Sequence, residues 1–174
     1  MRAAAMGFFA ALLAGSLISC AQARPDPLPG YRPASPSERT GVVSALLEYY
    51  AIRNRAAITG DVAPLYSAYP SLAHGEDRSA GVNTEAFFVQ RMRAQPVSRV
   101  SVDLEDREPV KVFIKDTAAV AYVHGRETWD LPPGTGQTVS EIIVRIDLHQ
   151  STSGWLVERT DQFELGERIP PTPR

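Results

Sequence analysis

The spacing of apolar residues changes once along this chain, and that change limits the fold more than any other feature. Before residue 97, apolar side chains recur three and four positions apart, which is the spacing of one helix face. After residue 97 they alternate with polar side chains, which is the spacing of a half-buried strand. Helices followed by consecutive hairpins predict an α+β domain, in which N-terminal helices pack on an antiparallel sheet.

The first half is predicted to form three helices. The sequence SPSE at residues 35–38 has the pattern of a capping box with proline at the first helical position, so a long amphipathic helix is expected from there to Gly60. A short helix ending at Pro70, a loop, and a third helix over residues 85–95 follow. The charged residues assigned to the solvent side of the first helix are Glu48, Arg53 and Arg55.

The second half is predicted to form meandering strands. Residues 100–104 and 110–114 alternate between apolar and polar side chains and predict two short strands. Residues 117–129 are apolar on both faces at first, as a central strand would be. Residues 138–150 place their apolar side chains on one face, and a last strand is expected over residues 154–165.

The chain begins with a segment that is typical of exported proteins. Arg2 is followed by a run without charge from Ala3 to Ile18. This run has the length of a signal peptide and is shorter than the roughly 20 residues that a membrane-spanning helix needs. It leads into Leu17-Ile18-Ser19-Cys20, and Cys20 is the only cysteine of the chain.

This motif resembles the lipobox of bacterial lipoproteins. The resemblance implies that the chain is cut before Cys20 and that the thiol and new amino group carry acyl chains, such as palmitate. The protein would then be held on the extracytoplasmic side of a bacterial membrane, either inner or outer, because two or three acyl chains anchor a protein firmly. The alternative is an ordinary secretory signal that is cleaved after Ala23, which would leave the protein unanchored.

Composition divides the rest of the chain. Five prolines fall within residues 21–36 and remove the apolar periodicity, so residues 20–36 are predicted to be a lipidated tether. Residues 37–166 are predicted to be one domain, and residues 167–174 a proline-rich tail. The net charge of −2 and the lack of a basic cluster argue against nucleic acid as a partner.

The order of elements resembles that of the nuclear-transport-factor-2-like superfamily, which includes ketosteroid isomerases and SnoaL-like polyketide cyclases. The fragments that carry the resemblance are residues 50–61 (YAIRNRAAITGD), 116–118 (DTA) and 154–157 (GWLV). It implies a strongly curved sheet that, with its helices, encloses a cone of the cystatin-like type. In that superfamily the cone holds a ligand or is filled and inert.

Isomerase chemistry needs a carboxylate base inside the cone and a tyrosine that donates to the developing oxyanion. Candidate donors are Tyr50, Tyr66 and Tyr69, and candidate bases are Asp147 and Asp161. The alternation of the fourth strand places Asp147 opposite the apolar face, and therefore outside the cone. We assign no catalytic residue.

Two further groups of polar residues are candidates for a catalytic or a metal site. His124 and Glu127 lie on opposite faces of a predicted strand, and Gly125 could mark a bulge that redirects one of them. The pair is read either as catalytic or as exposed strand residues. The sequence HGED at residues 74–77 matches no zinc spacing, and neither a metal nor a cofactor is predicted.

A pocket in the cone would be lined by aromatic and apolar side chains, although the same side chains could simply fill the core. The candidate ligand-binding residues are Tyr50, Tyr66, Phe88, Met92 and Trp129. The first hypothesis is a non-enzymatic domain of the cell envelope that binds an envelope protein or a small apolar ligand, with a homodimer through the sheet face. The alternative is a small cofactor-free isomerase, dehydratase or cyclase.

Overall fold

The computed structural model describes residues 28–73, 96–133 and 135–163. Its helices and strands are β1 (Arg32–Pro33), α1 (Pro36–Thr59), α2 (Ala63–Ala68), α3 (Pro70–Ala73), β2 (Arg99–Asp103), β3 (Lys111–Lys115), β4 (Ala118–Asp130), β5 (Gln137–Ser151) and β6 (Gly154–Phe163). In these ranges no helix combines the length and the apolar character that crossing a membrane requires. The predicted signal segment, Cys20, the HGED sequence, the third helix and the C-terminal tail lie outside the described residues.

Helix α1 begins and ends as predicted. The Ser35 hydroxyl accepts a hydrogen bond from the Glu38 amide at 3.4 Å, and the Glu38 carboxylate accepts one from the Ser35 amide at 2.8 Å. These reciprocal bonds form the capping box. At the other end, Gly60 has φ +71°, a left-handed conformation that glycine adopts without strain.

The second helix ends next to the predicted position. At the start of α2, Asp61 accepts a hydrogen bond from the Ala63 amide at 3.0 Å. The C-cap residue of this helix is Tyr69. Pro70 directly follows this C-cap residue, as predicted, but it also begins the short helix α3, so the prediction of a loop is wrong for residues 71–73. The fixed φ of proline suits the first position of a helix, which accounts for the difference.

The sheet is antiparallel, with the order β1-β3-β4-β5-β6, and β2 also pairs with β4. Strand β3 pairs with residues 118–122 of β4, and β2 pairs with residues 126–130 on the same edge. The prediction of consecutive hairpins is therefore wrong for β2 and β3, which lie end to end along one long strand. The hairpins β3–β4, β4–β5 and β5–β6 form as predicted.

Gly125 lies where β4 changes from one partner strand to the other. The pairing of β4 with β5 continues through Gly125 without a bulge, and the register shift in the sheet falls between Asp147 and Leu148. A Cβ atom at position 125 would overlap the carbonyl oxygen of Asp103. The glycine thus permits a close approach of two backbones rather than a bulge.

The main core lies between α1 and the inner face of the sheet, as the alternation predicted. Its strand members include Ala119, Ala121, Val123, Trp129, Ile142, Val144, Ile146 and Leu148, and its α1 members include Val42, Leu46 and Tyr49. Asp147 lies on the opposite, outer face, as predicted. That face is not simply solvated, because burial raises the pKa of Asp147 and Arg145 is 1% exposed.

The N-terminal part of the described chain packs on this outer face. Leu28 is 2% exposed and contacts Val120 and Tyr122 in a second apolar cluster. Strand β1 pairs with β3 at the sheet edge, where the missing amide of proline costs no ladder bond. Residues 28–36, which composition assigned to the tether, therefore belong to the folded domain.

Candidate ligand site between the first helix and the sheet

A small pocket lies between α1 and the inner faces of β4, β5 and β6. Its lining residues are Tyr49, Tyr50, Arg53, Glu127, Ile142, Val144, Thr160 and Gln162. Gln162 is exposed, so the pocket opens toward β6. The centre of a water molecule can move within about 10 Å³ of this space, which is about the room that a single water needs.

An ion pair crosses the pocket from the helix to the central strand. Arg53 Nη1 lies 2.7 Å from Glu127 Oε1, and the two side chains are 5% and 9% exposed. Buried charges of this kind persist when they are paired and hydrogen-bonded, because each would otherwise carry an uncompensated desolvation cost. The pair therefore fixes α1 to β4 at the centre of the cone.

Aromatic rings complete the helix side of the pocket. The Arg53 guanidinium carbon lies 5.5 Å from the centre of the Tyr50 ring, within the range of a cation–π contact. Tyr49 packs edge-on against Tyr50 and against Tyr69, with ring centres 4.8 and 5.5 Å apart. Burial, with a smaller contribution from Glu48, raises the pKa of Tyr69 to about 12.

The site combines apolar walls with a neutralised pair of charges. The Glu127 carboxylate is engaged by Arg53, whereas a general base needs access to a proton on a substrate. Aromatic rings and one paired set of charges thus surround a space of about one water. Within the described ranges, no group of three or more His, Cys, Asp or Glu residues is placed to hold a metal ion.

The structure separates the predicted ligand-binding residues. Tyr50 lines the pocket, whereas Trp129 is 3% exposed in the core and Tyr66 packs against that core while half-buried. Neither Trp129 nor Tyr66 lines this pocket. Phe88 and Met92 lie outside the described residues.

Of the polar members of the site, Glu127 is a candidate from the sequence, whereas Arg53 is not. Arg53 is 4% exposed, so its assignment to the solvent side of α1 is wrong. The signal was present, because position 53 is four residues after Tyr49 and shares its helix face. Glu127 and His124 lie on opposite faces of β4, as the alternation predicted, and the structure shows that Glu127 is the one that faces the cone.

Comparisons with known proteins give the fold but no closer relation. No family model and no curated protein sequence matches this chain. A nuclear transport factor 2 (NTF2-like) superfamily protein from Salmonella enterica serovar Typhimurium matches at 12% identity and a TM-score of 0.53, over 77% of this chain and 95% of that one.

Two further structures resemble the chain less closely. One is an NTF2-like family protein from Streptomyces avermitilis, at 13% identity and a TM-score of 0.49, over 76% of this chain and 100% of that one. The other comes from Catenulispora acidiphila, at 16% identity and a TM-score of 0.48, over 73% and 94%. The Salmonella structure, together with the curled antiparallel sheet and its helices, confirms the predicted nuclear-transport-factor-2-like fold.

Proposed function

We propose that this chain is a lipid-anchored extracytoplasmic protein whose domain binds a ligand or a partner protein and catalyses no reaction. The observation that carries the non-enzymatic part is the Arg53–Glu127 pair. Glu127 is the acidic residue that lines the pocket, and Arg53 holds it at 2.7 Å. The carboxylate that would have to act as the base is thus already engaged.

The chemistry of the pocket favours a small and mainly apolar ligand with one polar group. Tyr49, Tyr50, Ile142 and Val144 supply apolar wall, and the paired charges of Arg53 and Glu127 add no net charge. A neutral ligand loses less on leaving water than a charged one does. Entry past the exposed Gln162 requires the neighbouring side chains to move apart.

The anchor rests on Cys20 and the apolar run before it. Acyl chains contribute about 0.8 kcal/mol per buried methylene, so diacylation of Cys20 would keep the protein on a bilayer. Because Leu28 is packed on the domain, residues 21–27 would separate the domain from the lipid, and an extended proline-rich chain spans about 25 Å from Cys20 to Leu28 at about 3.1 Å per residue. The domain would then sit close to its membrane.

Two experiments test the two parts separately. Radiolabelled palmitate should appear in the wild-type protein and not in Cys20→Ser, and only the wild type should stay with the membrane fraction. Labelling of Cys20→Ser, or its retention on membranes after signal cleavage, would contradict the anchor.

For the pocket, native mass spectrometry of protein purified from its own host should show a bound small molecule. Tyr50→Ala should lose that molecule, whereas Leu47→Ala, on the exposed side of the same helix, should keep it. A wild-type spectrum without any bound molecule would contradict the small-ligand form of the proposal.

A small cofactor-free isomerase, dehydratase or cyclase is the second candidate. The observation that favours it is the position of Glu127, which lies in the cone beside Tyr49 and Tyr50 where an acid–base pair would be needed. If this candidate is correct, Glu127→Gln abolishes turnover of a substrate that the folded variant still binds. Binding without turnover by the wild type would favour the first proposal.

A homodimer through the outer face of the sheet is also proposed. Supporting it, the partly exposed Arg159 on this face is neutralised within the same chain by Asp161, at 2.8 Å. A balanced face does not repel its own copy. Light scattering of the detergent-solubilised protein should give the mass of two chains, and the mass of one chain would contradict the proposal.

A further inference from the structure

We propose that residues 104–110, which connect β2 to β3, are held against the outer face of the sheet by His124 when its side chain is protonated. This pH-dependent contact is called the clasp below. His124, on β4, lies between two carboxylates. Its Nε2 is 2.5 Å from Glu141 Oε1 on β5, and its Nδ1 is 3.7 Å from Glu108 Oε1 on the connector. The imidazole ring thus bridges the connector and the sheet.

The protonation state of the ring decides how many of these contacts are favourable. A neutral imidazole has one N–H donor and one lone pair, whereas an ionised carboxylate only accepts. A neutral ring therefore turns its lone pair toward Glu108 or Glu141. Only the imidazolium presents an N–H to both carboxylates, so only this form makes both contacts favourable. The hydrogen bond from His124 lowers the pKa of Glu141.

The charges around His124 make it the switching group. The ion pairs of the cluster are Asp106–Arg126 at 3.0 Å, Arg107–Glu141 at 3.7 Å, Arg107–Asp106 at 3.4 Å and Lys111–Glu108 at 2.8 Å. The three acids, Asp106, Glu108 and Glu141, balance the three bases, Arg107, Lys111 and Arg126. Because these charges balance, a proton on His124 gives the cluster one net positive charge. That charge lies next to the carboxylates of Glu108 and Glu141.

The connector is joined to the candidate ligand site. Its two ends, Leu104 and Val110, are 3% and 2% exposed and belong to the main core. The backbone of Asp103 lies directly against Gly125, two positions before Glu127 on the same strand. A tighter connector therefore holds β2 more firmly on β4, the strand that carries Glu127. Acid closes this clasp, and loss of the proton loosens it.

The first test compares amide hydrogen exchange in the wild type and His124→Gln. Measurements are made at roughly pH 5.5 and pH 8, which bracket the range in which histidine side chains serve as charge switches. Amides of residues 104–110 should exchange about two- to fivefold faster in the variant at the lower pH, as expected for a partly exposed ion pair. At the higher pH the two proteins should exchange alike. Comparing proteins at one pH cancels the intrinsic pH dependence of exchange.

His149→Gln is the matched control. His149 pairs with Glu158 at 2.9 Å, away from the connector, so this variant should leave exchange of residues 104–110 unchanged at both values. An equal effect of His124→Gln at both pH values would overturn the proposal, and so would an equal effect of His149→Gln on the connector.

A double-mutant cycle of His124 and Glu108 gives a second test, and it separates their mutual contact from the contacts that each makes with other residues. Glu108→Gln also removes the contact with Lys111, but the cycle with His124→Gln cancels that loss. Coupling between the two positions should appear at the lower pH and vanish at the higher one. If His124→Gln does not fold, Glu108→Gln alone should abolish the difference in connector protection between the two pH values. Protection that keeps its pH dependence in Glu108→Gln would refute the clasp.

Discussion

Arg53 on the first helix and Glu127 on the central strand form an ion pair at 2.7 Å that is almost closed to solvent. Removing one partner leaves the other charge buried, so Arg53→Met or Glu127→Leu alone should each lower the free energy of unfolding by about 3–5 kcal/mol. The double variant should lose less than either single variant, because no charge remains unpaired. Urea denaturation measures all three.

The comparison with the double variant decides what the pair does. If the double variant is less stable than both single variants, the pair is a net source of stability. If the double variant is instead more stable than both single variants, the desolvation cost of burying the two charges is about as large as their mutual attraction. The pair would then be retained for the site that it forms.

Gly125 should tolerate no side chain. The Cβ of alanine would overlap the carbonyl oxygen of Asp103, so Gly125→Ala should cost about 1–3 kcal/mol of stability, as overpacking of a core does. Gly41→Ala is the matched control, since a Cβ there meets Trp155 at an ordinary 3.6 Å. This substitution also removes a glycine from the interior of helix α1. That change should add about 0.5–1 kcal/mol. Thermal unfolding of both variants checks the contrast, which fails if Gly125→Ala is as stable as the wild type.

Local signals predicted the parts of the fold that local interactions determine. The capping box and Gly60 set the ends of α1 through contacts within a few residues, and alternation set the faces of β4 and β5. The placement of β2 could not be predicted in this way. It depends on β4 being long enough to pair with two strands along one edge, which is a property of distant segments.

The candidate site was harder to predict for a related reason. An arginine on an amphipathic helix is usually solvated, and the ion pair with Glu127 helps to make burial of Arg53 tolerable. Nothing within the helix sequence identifies that partner. Strand β1 was missed because proline-rich composition normally indicates an extended linker, whereas an edge strand accepts proline.

Glu38 should make the protein less stable in acid. Hydrogen bonds from Arg32 and from Ser35 hold the pKa of Glu38 far below its ordinary value. The folded state thus favours the ionised carboxylate, so this contribution is present above the pKa of the unfolded chain and is lost as the pH falls toward the folded value. The urea midpoint of Glu38→Gln should decline less between roughly pH 5 and pH 2 than that of the wild type. Parallel declines would show that Glu38 does not contribute.

Leu28 tests whether the N-terminal segment belongs to the domain. It is 2% exposed against Val120 and Tyr122, so Leu28→Ala should cost about 2–3 kcal/mol, as buried leucines do. Leu47→Ala, at 53% exposure, should change stability by less than about 0.5 kcal/mol. Chemical denaturation of the two variants decides the matter. If Leu28→Ala is as stable as Leu47→Ala, residues 28–36 behave as a free tether, and the domain would stand about 50 Å from a lipid on Cys20 rather than about 25 Å.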